Sequence, residues 1–172
     1  MPLDLKNLLW QNLTTAYELP CDDVISWLGE AYSVGLTSEL LGDIINEVQH
    51  QGDTSDAMYA VAPHLILLAS RTDEELARQS VIHAGLIHAS SQSPSAIPCP
   101  PELLADFRES AAIGTQRVLS LLPHASEFED FKYLVAALAG FMQHGRFGNL
   151  VEGFEFLDGQ FHHPNLSDPF PE

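Results

Sequence analysis

The chain has 172 residues, 45% of them hydrophobic, with 24 Asp+Glu against seven Lys+Arg and a formal net charge of −17 at pH 7. That length is enough for one domain with a sizeable core, and that apolar content excludes compositional disorder. The negative balance argues against nucleic-acid binding through a basic groove, because such a surface repels phosphates.

The charge is uneven: before residue 71 the only Lys or Arg is Lys6. An acidic surface of this kind attracts a basic protein partner and speeds its encounter, although it also serves plain solubility. No window holds the ~18 uncharged apolar residues of a membrane span. The start, Met1-Pro2-Leu3-Asp4-Leu5-Lys6, lacks the basic and small-residue pattern of a signal peptide, so a cytoplasmic location is expected. Cys21 and Cys99 are too few for a disulfide framework and form no C-x-x-C pair, so both read as reduced thiols.

Leu5, Leu8, Leu9 and Leu13 stand at helical spacing and predict a first helix over about Leu3 to Tyr17, closed by Pro20. A second helix is expected from Asp22 to Tyr32, burying Val24, Ile25 and Leu28, with Asp22 and Asp23 at the positive end of its dipole. Gly35 breaks the chain. Thr37 or Ser38 caps a third helix with the stripe Leu40, Leu41, Ile44, Ile45 and Val48, and Gly52 is placed to cap its end. Thr54 or Ser55 opens a fourth helix that ends near Ser70. Pro63 should kink that helix, since it lacks an N–H and its ring crowds the preceding turn.

Thr72-Asp73-Glu74-Glu75 reads as a capping box opening a fifth helix to about Ser90. The proline- and serine-rich residues 91–101 read as an internal linker. Pro101 suits the first turn of a sixth helix that Pro123 stops near Leu122. Ser126-Glu127-Phe128-Glu129 reads as a second capping box. The helix it opens has Phe128, Phe131, Leu134, Val135, Leu138, Phe141 and Met142 as its apolar face. A shorter helix is expected from Asn149 to Leu157, then an irregular tail over residues 158–172. No strand-like alternation stands out. Helices joined by short turns in this way fit stacked antiparallel hairpins, with an irregular bundle as the rival arrangement.

The chemistry-bearing residues form few patterns. His83 and His88 lie five apart and share a helix face poorly, and no H-E-x-x-H occurs. His50 ends the third predicted helix, where an imidazolium suits the dipole. His50 and His64 would approach across the hairpin near Asp53 or Asp56. They offer a metal or enzymatic alternative, which competes with a plain role in turn structure. His162 and His163 are adjacent in the tail and point opposite ways in an extended chain. Acidic pairs such as Asp22/Asp23 and Glu152/Glu155 are expected by chance in so acidic a chain. No G-x-S-x-G and no phosphate-binding glycine loop is present. Phe141, Phe147, Phe154, Phe156 and Phe161 read mainly as core.

Trp10 with Ala16-Tyr17, the Pro20-led second helix, His50-Gln51-Gly52 and Tyr59-Ala60-Val61-Ala62-Pro63 followed by Leu65 resemble a group of bacterial HEAT-like helical-repeat proteins, some of them immunity proteins of toxin systems. The stretch from Phe156 to Asn165 resembles the same group. Relatives there commonly carry a cysteine pair around the proline, where this chain has His163 and Leu166. If those cysteines hold zinc in relatives, the resemblance implies that this chain has lost the site.

These readings combine into an all-α, HEAT-like domain over residues 1–157 with a tail over 158–172. The expected role is a non-enzymatic protein-binding module without metal or cofactor, in its sharpest form an immunity-type protein meeting a basic toxin. The alternatives are a general scaffold or regulatory protein, and a metalloprotein or enzyme using His50 and His64. The expected partner-facing residues are Asp22, Asp23, Glu30, Glu39, Asp43, Glu47, His50, Asp53, Asp56 and His64.

Overall fold

The computed structural model describes residues 2–50, 53–153, 155–157 and 160–162. It is an all-α protein. Seven α-helices run in the order α1 (Asp22–Val34), α2 (Ser38–Val48), α3 (Ala57–Leu68), α4 (Glu74–Ser90), α5 (Leu104–Leu121), α6 (Phe128–Phe141) and α7 (Gly145–Glu152). Two antiparallel hairpins of two or three residues per strand accompany them: β1 (Gln49–His50) with β2 (Asp53–Thr54), and β3 (Glu155–Leu157) with β4 (Gln160–His162). One cluster of buried apolar side chains runs from Trp10 to Phe141.

The N-terminal segment departs from its expected helix. Only Leu8–Asn12 turns, as a short 3-10 helix, with the Asn7 side chain accepting from the Leu9 N–H at 2.9 Å. The backbone donors that a longer helix would direct at its own carbonyls are claimed elsewhere. Thr14 N–H donates to Asp56 Oδ1 at 2.6 Å, Thr15 N–H to the Leu19 carbonyl at 2.9 Å, and Ala16 N–H to the Glu47 carbonyl at 2.7 Å. Leucines at helical spacing cannot hold a helix whose end is bonded to other elements.

Helix α1 starts with Asp22 and Asp23 in its first turn, buries Val24, Leu28 and Ala31, and stops at Gly35, whose φ of +109° disfavours any side chain. Thr37 caps α2 by accepting from Leu40 N–H at 3.2 Å. The end of α2 differs from expectation. Gln49 is extended and leads directly into β1, so His50 sits on a strand rather than in a helical turn, and Gly52 lies outside the described residues. The Ser55 hydroxyl donates to the Val48 carbonyl at 3.0 Å, which satisfies one carbonyl of the last turn.

Helix α3 begins at Ala57, later than Thr54 or Ser55 would set it, and every residue except Leu67 is buried. A helix apolar on all sides belongs at the centre of a core, and α3 packs against α1, α2, α4 and α5. Pro63 lies inside it, which leaves the Tyr59 carbonyl without its helical donor. Asp73, rather than Thr72, caps α4 by accepting from Leu76 N–H at 3.0 Å. Glu127 flanks α6 without any side-chain cap bond, so the second expected capping box does not form.

Helices α4 and α6 approach backbone to backbone. A Cβ added at Gly85 would overlap Ala137, and one added at Gly140 would overlap the Gly85 carbonyl and Ala89. Arg78 on α4 also pairs with Asp130 of α6 at 3.2 Å. The face that α6 buries is therefore Leu134, Ala136, Ala137, Ala139, Gly140 and Phe141, while Phe131 and Met142 are exposed, against expectation. The last helix starts at Gly145 rather than Asn149, and its expected end at Leu157 is strand β3 instead.

Residues 91–101 are packed, not a free spacer. The Tyr59 hydroxyl donates to the Ile97 carbonyl at 2.5 Å. The Gln92 amide donates to the carbonyls of His88 and Gly140, both at 2.7 Å, and accepts from Gly145 N–H at 2.7 Å. One side chain so ties α4, the end of α6 and the start of α7. Among the described residues no helix is long and apolar enough to cross a membrane.

Candidate functional site

The start of α1, the end of α2 and the start of α3 come together near Cys21. Burial raises the Cys21 thiol to about 12, and the carboxylates of Asp56, Asp22 and Glu47 push it the same way. The buried sulfur therefore remains a protonated free thiol and is inert as a nucleophile at neutral pH.

Residues 16–19 form a tight loop over this junction. The loop is fixed at its base by Ala16 N–H on the Glu47 carbonyl, and Glu18 takes a left-handed φ of 59°. Tyr17 and Leu19 are left 40% and 55% exposed. The Tyr17 hydroxyl lies 2.7 Å from His50 Nδ1 with the rings 4.8 Å apart, and Asn46 Oδ1 reaches the same nitrogen at 3.2 Å. The Tyr17 hydroxyl and the Asn46 side chain share one imidazole nitrogen of His50. Tyr17 and Leu19 are thus exposed on a hydrogen-bonded loop against the end of α2.

The ten residues expected at a partner face divide. Asp22, Asp23, Glu30, Glu39 and Asp43 are exposed, and Glu47 is half-buried. Glu39, Asp43 and Glu47 follow each other at four-residue spacing and share one face of α2. None of these six forms an ion pair with a described residue. His50 is half-buried beside Tyr17. Asp53 has its backbone in β2, paired with His50. Asp56 is structural in part, since it accepts from both the backbone and the hydroxyl of Thr14.

His64 does not belong to the face. It is 3% exposed, inside α3, with Nδ1 2.7 Å from the Tyr32 hydroxyl and Nε2 2.9 Å from the Leu3 carbonyl. The carbonyl only accepts, so Nε2 carries the proton and Nδ1 accepts from Tyr32. Burial lowers its pKa to about 4, against the opposing effects of the Leu3 carbonyl and Asp106. Both nitrogens are satisfied by protein, so His64 has no lone pair left for a metal or a partner. His50 and His64 have separate partners and are not brought into one site. Among the described residues no group of three or more His, Cys, Asp or Glu side chains is arranged to hold a metal ion.

The sequence reading missed the exposed Tyr17–Leu19 loop, because the leucine spacing before it read as continuous helix. Its signal was local: Thr14-Thr15 and Pro20 bracket it, and β-branched residues and proline favour extended chain. Phe141 is core as expected and Phe147 is exposed, while Phe154 and His163 lie outside the described residues. No protein-family model matches this chain, and no curated protein or solved structure matches it.

Proposed function

We propose that this chain is a non-enzymatic binding module that engages a basic protein through the acidic end built by α1, α2 and the loop of residues 16–19. One observation carries the reading: Tyr17 and Leu19 stand exposed on a loop pinned through Thr14 to Asp56 and through Ala16 to Glu47. Apolar anchors within a charged rim are how protein interfaces combine affinity with selectivity, and a pre-organised loop lowers the entropy lost on docking. In its specific form the module is an immunity-type protein acting in the cytoplasm on a basic toxin, as the resemblance of its first half implies. The same resemblance suggests HEAT-like stacking of the hairpins, which is supported by direct contact within the pairs α1–α2, α3–α4 and α6–α7.

Affinity capture from the cells that make the protein tests this reading, with wild type and the Tyr17→Ala/Leu19→Ala variant as parallel baits. A basic protein retained by wild type and lost by the variant is the expected result. Equal recovery on both baits, or a partner without positive charge, would contradict it.

A further inference from the structure

A second candidate site is built on other helices. Residues 96–99 and helices α4, α5 and α6 enclose a cleft of about 530 Å³, a volume suited to a small molecule. Its walls are largely apolar, with Ile97, Leu104, Phe107 and Phe141 prominent. His88 lines it and is 4% exposed, stacked on Phe107 with ring centroids 3.8 Å apart.

The hydrogen-bond inventory of the cleft is specific. Ser110 has one hydroxyl proton, which goes to the Phe107 carbonyl at 2.7 Å, so the bond of 3.0 Å between Ser110 Oγ and His88 Nε2 is donated by the histidine. His88 Nδ1 is then a bare acceptor with no partner among the described residues. His88 is itself one of the residues that line the cleft. Burial holds this ring neutral, with a pKa lowered to about 3. Ser91, Gln92 and Thr115 have their donors engaged by backbone carbonyls.

Arg108 supplies a charge at the rim. It is exposed and forms no ion pair among the described residues. Its helical neighbours three and four residues away are Leu104, Ala105, Ala111 and Ala112. In a chain with 24 acidic residues, a cation with no carboxylate three or four residues away on its own helix is available to an outside anion. Gln143, in a left-handed conformation with φ of 63°, adds an exposed amide to the same lining.

We propose that this cleft binds a small aromatic carboxylate carrying a hydroxyl at its far end. The ring lies among the apolar walls, the hydroxyl donates to His88 Nδ1, and the carboxylate meets Arg108. Neither the acidic face nor its partner is involved, so the two readings stand or fall separately.

Calorimetric titration with 4-hydroxyphenylacetate and phenylacetate, against wild type, Arg108→Gln and Ala112→Leu, tests the proposal. Arg108 and Ala112 are exposed, and thermal melts identify any variant that is not folded. The hydroxylated probe should bind wild type saturably, and phenylacetate about fivefold or more weakly, because it leaves the buried acceptor unpaired. Arg108→Gln should weaken the hydroxylated probe roughly tenfold, and Ala112→Leu should narrow the cleft and weaken both probes. Absence of saturable binding at millimolar probe, equal affinity for the two probes, or binding unaffected by Arg108→Gln would overturn it.

Discussion

The Tyr32 hydroxyl donates to His64 Nδ1 at 2.7 Å, joining the last turn of α1 to α3. The other nitrogen of the same ring holds the Leu3 carbonyl, so one imidazole fastens the N-terminal segment to two helices. Tyr32→Phe removes the donor and leaves a buried acceptor unsatisfied. A loss of about 1–3 kcal/mol is expected in denaturant unfolding, with the unfolding slope unchanged.

Two neutral imidazoles in the interior make the protein sensitive to acid. His64 and His88 have folded pKa values lowered to about 4 and about 3, from 6.5. The unfolded chain takes up their protons first. Their stability contribution is therefore intact above pH 6.5, falls as the pH drops below it, and levels off as the folded pKa values are passed. Each histidine contributes a slope of roughly 1.4 kcal/mol per pH unit in that window. Urea unfolding at a series of pH values measures it, and His64→Gln should flatten the slope relative to wild type.

The crossing of α4 and α6 permits no side chain at Gly85 or Gly140. Both obstructing groups at Gly140 include backbone atoms, which cannot swing aside. Gly140→Ala should destabilise by about 2 kcal/mol or more despite its better helix propensity. Gly42→Ala makes the control, since its added Cβ meets nothing within 4 Å and should stabilise by about 0.5–1 kcal/mol. Thermal melts of the two variants should shift in opposite directions.

Gln92 makes three bonds that link α4, the end of α6 and α7. Gln92→Ala strands those groups, and about 2–3 kcal/mol should be lost. Hydrogen exchange localises the effect: protection should fall at Gly145 and through α7 before it falls in α3.

The helices were legible in the chain wherever an amphipathic stripe met a cap or a breaker, as with Thr37 before α2 and Gly35 after α1. The misreadings around residues 14–16 and 49–50 share one cause, which is partners distant in sequence. Asp56 and Glu47 capture the backbone of residues 14–16, and the β1–β2 pairing draws Gln49 and His50 out of α2. Apolar spacing misled on α6, because Ala136, Ala137 and Gly140 are buried for their small size while Phe131 is not. The exposure of Asp22, Asp23, Glu30, Glu39 and Asp43 followed from helical spacing. The position of His64 did not, since its neighbours Tyr32 and Leu3 lie 32 and 61 residues away.

The acidic, anchored face is tested most directly by the association rate of the captured partner at low and at physiological salt. The measurement compares wild type with an Asp22→Asn/Asp23→Asn/Asp43→Asn variant. Electrostatic steering predicts a rate for wild type that falls roughly tenfold or more as salt rises, and a variant that is slow at both salts. Equal rates for the two proteins, unmoved by salt, would contradict it.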